Sequence, residues 1–126
     1  VSFDIFLQSF KDGDAAPGDP EAAWRVLAPY LAGALTGGYA RVRTPDGEAA
    51  VYGAGRDALM INHASGQIIW QIMVDVARAA DWVIMPVGCP VCVLREEMIN
   101  DLPAELQDDA VVVGSGAEVL DVVPQA

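Results

Sequence analysis

At 126 residues and 53% hydrophobic side chains, the chain has material for one compact domain, expected over 1–126, and is too apolar for a disordered tail. Its 18 acidic residues against 7 basic ones leave a formal charge of −11, which argues against nucleic-acid backbones and anionic membrane surfaces as partners and allows basic ones. No apolar run reaches the ~18 residues of a membrane span, and Val1-Ser2-Phe3-Asp4 shows no basic stretch leading into an apolar one, so a cytoplasmic protein is expected.

Phe3 to Phe10 alternates as a strand, with Phe3, Ile5 and Leu7 on one face. Its other face, Asp4, Phe6, Gln8 and Phe10, is only half polar. Lys11-Asp12-Gly13-Asp14 breaks the strand, and a loop rich in Ala, Pro and Gly follows. Asp19-Pro20-Glu21 reads as a helix start: an N-cap acceptor, Pro at the first helical position, then an acid at the positive end of the dipole. Trp24, Leu27 and Leu31 recur at helical spacing. Pro29 should kink or divide this helix, and Gly37-Gly38 should end it.

A three-stranded meander is expected next. Tyr39–Thr44 and Glu48–Gly53 flank Pro45-Asp46-Gly47, with Gly47 available for positive φ. Gly53-Ala54-Gly55-Arg56 makes the second turn and Asp57–Asn62 the third strand. Arg41 and Arg43 share a face with Tyr39, so that face is wet or meets a partner. Ser65 then caps a helix from Gly66 to about Ala80, apolar except for the stripe Gln67, Gln71, Asp75 and Arg78. A helix this apolar packs deeply on a sheet or is covered by a second chain, which makes a homodimer one expectation.

Val83–Val87 is a strand, followed by the cysteine turn and a second strand, Val91–Leu94. Arg95–Leu106 is acidic and interrupted by Pro103, a short helix and then a turn. Val111-Val112-Val113 is a short buried strand, and Ser115 opens a final helix, Gly116–Val122, with Glu118 completing a capping box. Consecutive strands with few helices favour an α+β fold: a mainly antiparallel sheet with helices packed on one face, a two-layer sandwich.

Two motifs carry potential chemistry. Cys89-Pro90-Val91-Cys92 holds both thiols of the chain. A redox pair of the thioredoxin type needs a helix after the motif, whereas Val93-Leu94 reads as a strand. A zinc site needs two further ligands, with His63 the single nitrogen candidate, or a second pair across a dimer axis. The favoured reading is a tight turn, Gly88-Cys89-Pro90-Val91, whose thiols pack as small apolar groups. The second motif is Asn62-His63-Ala64-Ser65-Gly66, where a strand meets a helix N-terminus. Asn62, His63, Ser65 and Gly66 there offer a place for a carboxylate or phosphate. Against it stands the plainer reading, in which Ser65 caps the helix and His63 satisfies the loop backbone. A serine-hydrolase arrangement of Ser65 and His63 lacks the G-x-S-x-G elbow, and the acids from Asp12 fail the calcium-loop spacing at Ala16 and Pro17. No catalytic residue is assigned.

The segments Asp4-Ile5-Phe6-Leu7-Gln8-x-Phe10-x-Asp12-Gly13, Asn62-His63-Ala64-Ser65-Gly66 and Pro86-Val87-Gly88-Cys89-Pro90 resemble a group of small bacterial proteins with no established activity. In size, charge and α+β pattern the chain is also similar to immunity proteins of bacterial toxin systems. That resemblance implies a non-catalytic binding protein and transfers no residues. The leading expectation is therefore a small acidic protein, immunity-like or regulatory, meeting a protein partner through its acidic surface or the Arg41/Arg43 face. The partner is basic if charge steers the encounter. A thiol or zinc protein using Cys89 and Cys92, or anion binding at His63 and Ser65, is the alternative. No other cofactor is expected.

Overall fold

Alternation in the first strand sets the two faces of the sheet. In the computed structural model, which describes residues 4–33, 36–54 and 56–123, β1 (Ile5–Lys11) buries Ile5, Leu7 and Ser9 and turns Phe6, Gln8 and Phe10 the other way. Phe3, expected beside Ile5, lies outside the described residues, as does Gly55. A short β2 (Asp14–Ala16) folds straight back on β1, pairing Lys11 with Asp14. The loop expected there is thus a hairpin. Asp12 and Gly13, at φ 52° and 85°, form the two-residue turn that right-twisted strands favour.

The first helix, α1 (Pro20–Leu27), starts as expected, with the Asp19 side chain accepting the Ala22 N–H. It does not run on to Gly37. The chain tightens into a 3-10 turn over Ala28–Tyr30, as the missing N–H of Pro29 requires, and Leu31 leaves extended. The meander is as expected: β3 (Tyr39–Thr44), β4 (Gly47–Tyr52) and β5 (Ala58–Asn62) pair antiparallel in succession. Gly47, however, does not supply a positive φ. It pairs with Thr44 inside the ladder, and a side chain there would run into the Ser65 carbonyl.

The long helix α2 (Ile68–Ala80) begins two residues later than expected, because its cap comes from elsewhere in the chain. Beyond it lie β6 (Val83–Pro86), β7 (Cys92–Val93), a 3-10 turn over Glu96–Asp101, α3 (Ala104–Gln107), β8 (Val111–Val112) and α4 (Gly116–Val122). Pro103 separates the 3-10 turn from α3. Only Val113 of the Val111–Val113 run is buried; Val112 is exposed. Ser115 caps α4 by accepting the Glu118 N–H, and Glu118 Oε1 accepts from the Gly114 N–H and, more distantly, from the Ser115 hydroxyl.

Among the described residues the strands form one eight-stranded sheet in the order β3-β4-β5-β1-β6-β7-β8, with β2 attached to β1. Every pairing is antiparallel except β7 with β8. The fold is α+β, and α1, α2 and α4 contribute to a single core on one sheet face. Leu7, Ile61, Val51, Val42 and Ile84 meet Ile69, Met73 and Val76 there. The apolar surplus of α2 is met within the chain, because α1 and α4 pack on its flanks. A second copy is not needed to cover it. No helix among the described residues is long and apolar enough to cross a membrane.

The other face is covered only in part. The stretch 94–110 folds over one end of it, where Met98, Leu102, Ile99 and Leu106 pack on Val83, Val93, Phe10 and Met85 in a second, smaller core. The rest of that face has no layer above it among the described residues.

Candidate docking surface

The strand registers place one large side chain from each of five strands in a row across the uncovered face. Phe6 of β1 stands opposite Met85 of β6 on one side and Met60 of β5 on the other. Met60 in turn faces Tyr52 of β4, and Tyr52 faces Tyr39 of β3. The last pair touches, with ring centroids 5.1 Å apart and planes tilted by 56°. Phe6 is 41% exposed and Tyr52 39%. With Met60, Met85 and Tyr39 half-buried, the row is a continuous apolar band open to water.

The next row belongs to Arg41, whose register partner Ala50 leaves room above it. Arg41 donates to Glu48 Oε1 at 2.6 Å, and Arg43 reaches the other oxygen of the same carboxylate at 3.9 Å. Two guanidinium groups share one acid, so this edge carries local positive charge in a strongly acidic chain. At the opposite end of the row stands 94–110. Its residues 96–109 hold Glu96, Glu97, Asp101, Glu105, Asp108 and Asp109 and no basic side chain. The open face thus runs from a basic edge, along an apolar band, to an acidic wall. The exposed arginines belong to the face that the sequence marked as wet or partnered. Of the apolar row only Phe6 has a signal in the sequence, the half-polar side of Phe3–Phe10; Met60, Tyr52 and Met85 join it through the strand registers.

The loop 62–66 is built around an acid from another turn. Asp46, between β3 and β4, accepts the Gln67 N–H at 2.7 Å and the Ile68 N–H at 3.3 Å on Oδ2, while Oδ1 accepts from Thr44 Oγ1. These bonds, that from Gln67 above all, hold the Asp46 carboxyl below its ordinary value against a smaller opposing effect of burial. Free N–H groups at the start of α2 are thus met by a carboxylate of the chain itself. Ser65 does not cap α2. Its hydroxyl accepts from the Glu48 N–H at 3.0 Å and its backbone N–H donates to the Glu48 carbonyl, which clamps the loop to β4. Gly66, at φ 85°, passes close under Asp46, where a side chain would meet the carboxylate. His63 is exposed, with φ 51°. Asn62 donates to Asp4 Oδ1 at 3.3 Å, and its own Oδ1 is shielded without a partner.

The cysteines lie in the connection between β6 and β7. The bend forms over Pro86–Cys89, the Cys89 N–H donating to the Pro86 carbonyl at 3.0 Å, with Gly88 at φ 80°. It therefore sits earlier than the expected Gly88–Val91. Both thiols are free; Cys89 is half-buried and Cys92 buried in the main core. Burial first, and then the neighbouring Cys89, push the Cys92 thiol up to about 11. Such a thiol stays protonated at neutral pH, the wrong state for a nucleophile. Cys89 borders a shallow depression of about 210 Å³ with Glu105, Leu106 and Asp109. Among the described residues no three side chains of His, Cys, Asp and Glu converge as metal ligands.

No protein-family model, curated protein sequence or solved structure matches this chain, so its chemistry is argued from its own residues.

Proposed function

We infer that this chain acts without catalysis, as a small binding protein of the immunity-like or regulatory kind, by holding a polypeptide on the open sheet face. One observation carries the reading: five strands each present a large apolar side chain at the same level on the face that the helices leave bare. A sheet in water on one side ordinarily alternates apolar and polar residues, and a joined apolar band marks a contact surface. Arg41 and Arg43 beside it supply directional donors for a carboxylate. The acidic remainder of the surface would speed encounter with a basic protein. The thiol or zinc alternative has less behind it, because the strand β7 follows the motif and Cys92 is buried in the main core.

A photo-crosslinking amino acid at Phe6, in intact cells, tests the reading against the same group at Glu21 on the exposed side of α1. Adducts at Phe6 and none at Glu21 are expected. Equal yields, or none at either position, would contradict the reading.

A further inference from the structure

We propose that the polypeptide held on the open face is a second copy of this chain, related by a two-fold axis through the middle of the apolar row. This rests on the reading of that face as a docking surface and adds the identity of the occupant. Charge order from one side of the sheet to the other carries it. Arg41 and Arg43 follow Tyr39 along the edge strand β3, beside that end of the row, sharing only Glu48. At the other end, Leu106 packs in the same small core as Met85, and Glu105 and Asp109 border the same depression as Leu106. A two-fold axis lying in the interface plane, parallel to the strands between Phe6 and Met60, turns the two open faces toward each other and reverses the row. It lays Phe6 of one copy over Met60 of the other and brings each basic edge to the acidic wall of the other copy. Such an interface is self-complementary, as an isologous contact must be.

Size points the same way. Five strands at ~4.8 Å spacing make a row of about 19 Å, and with its neighbouring rows a plane of about 400 Å². A stable interface needs roughly 800 Å² per partner, so the flat face alone is too small and the raised wall has to take part. Two stacked sheets leave about 10 Å between their planes, which is the thickness of one layer such as 94–110. A partner of uniformly basic character would satisfy the wall and collide electrostatically with Arg41 and Arg43. A second copy satisfies both ends at once.

Salt dependence does not discriminate here. Screening weakens the paired ends and also relieves the repulsion between two chains of net −11. A charge exchange does discriminate. Sedimentation equilibrium of the full chain should give twice the chain mass. Phe6→Asp and Tyr52→Asp, both at exposed positions, should each raise the dissociation constant by about tenfold or more while keeping the native circular dichroism. Arg41→Glu with Arg43→Glu should be monomeric, and so should Glu105→Arg with Asp109→Arg. An equimolar mixture of these two double variants should return to the doubled mass, since only the mixed pair matches at both ends.

A monomer at every concentration overturns the proposal. So does a dimer indifferent to Phe6→Asp and Tyr52→Asp, or a mixture that stays monomeric. A monomer whose Phe6 crosslinks to a different polypeptide removes the second copy alone. A monomer with no Phe6 crosslink removes the docking reading as well.

Discussion

The Asp46 carboxylate accepts the backbone N–H of Gln67, 21 positions away, at 2.7 Å, so the turn between two strands caps the longest helix of the fold. The bond ties the β3–β4 hairpin to the start of α2 and fixes the helix over the sheet. Asp46→Asn keeps the shape and removes the charge that faces the helix dipole. We expect its thermal midpoint to fall by a few degrees at pH 7. The pH dependence follows from the direction of the shift. A carboxyl held below 3.8 in the folded chain contributes its full stability above that value and loses it as pH falls through the lower folded value. Acid titration of the midpoint should therefore be shallower in Asp46→Asn than in the parent below pH 3.8. Parallel curves would show that Asp46 is not a cap.

Gly116 opens α4 where it crosses α2, and a Cβ there would run into the backbone of Trp70 and Gln71. The same approach lets the Gly116 N–H donate to Gln71 Oε1 at 2.8 Å. Gly116→Ala should cost about 1–3 kcal/mol in urea unfolding, through overpacking that neither helix can absorb. Ala117→Gly, one position further on and exposed, should cost about 1 kcal/mol or less from helix propensity. Equal losses in the two variants would contradict close contact at Gly116.

Trp82 is fully buried, and its indole N–H donates to the Pro17 carbonyl at 2.8 Å. The bond fastens the loop before α1 to the start of β6. Trp82→Phe retains most of the apolar volume and leaves that carbonyl without its donor, for an expected loss of about 1–3 kcal/mol. A neutral result in chemical denaturation would mean that the carbonyl finds water instead.

Legibility followed the range of the interaction. Alternation revealed the strands and Asp19-Pro20 revealed α1, because those signals lie within one turn or one pleat. The cap on α2 was not legible, because Ser65 offered a local acceptor while the actual one, Asp46, lies on the β3–β4 hairpin. The missed hairpin at Asp12-Gly13 was legible in principle, as a two-residue turn between extended runs. The docking face shows both limits. Arg41 and Arg43 announced a wet face from one strand alone. The apolar row exists only across strands, through registers that no single segment encodes. The reason the sequence offers for a homodimer, an uncovered α2, is removed by α1 and α4, and the dimer proposed on the opposite face rests on a different one.

The thiols should titrate in two classes. Cys89 is partly accessible and should react with an alkylating reagent in the native state, whereas Cys92 should react only on unfolding. Two fast equivalents would contradict the burial of Cys92. The folded chain holds the Cys92 thiol protonated up to about 11 against 9.0 for the free group. Its contribution is complete below pH 9.0 and is lost as pH climbs from there toward about 11. That loss amounts to at most about 3 kcal/mol, and Cys92→Ala should lack it.

Methionine oxidation reads the docking face most directly, because the four methionines divide between the environments in question. Met60 and Met85 lie in the open row, Met73 is fully buried in the main core, and Met98 lies beneath the acidic wall. Mild peroxide treatment followed by peptide mass analysis would compare intact cells with dilute purified protein. Met60 and Met85 should be several-fold less oxidised in cells, with Met73 protected in both. Equal oxidation of Met60 and Met85 in the two settings would mean that the face is bare where the protein works, and would contradict the account.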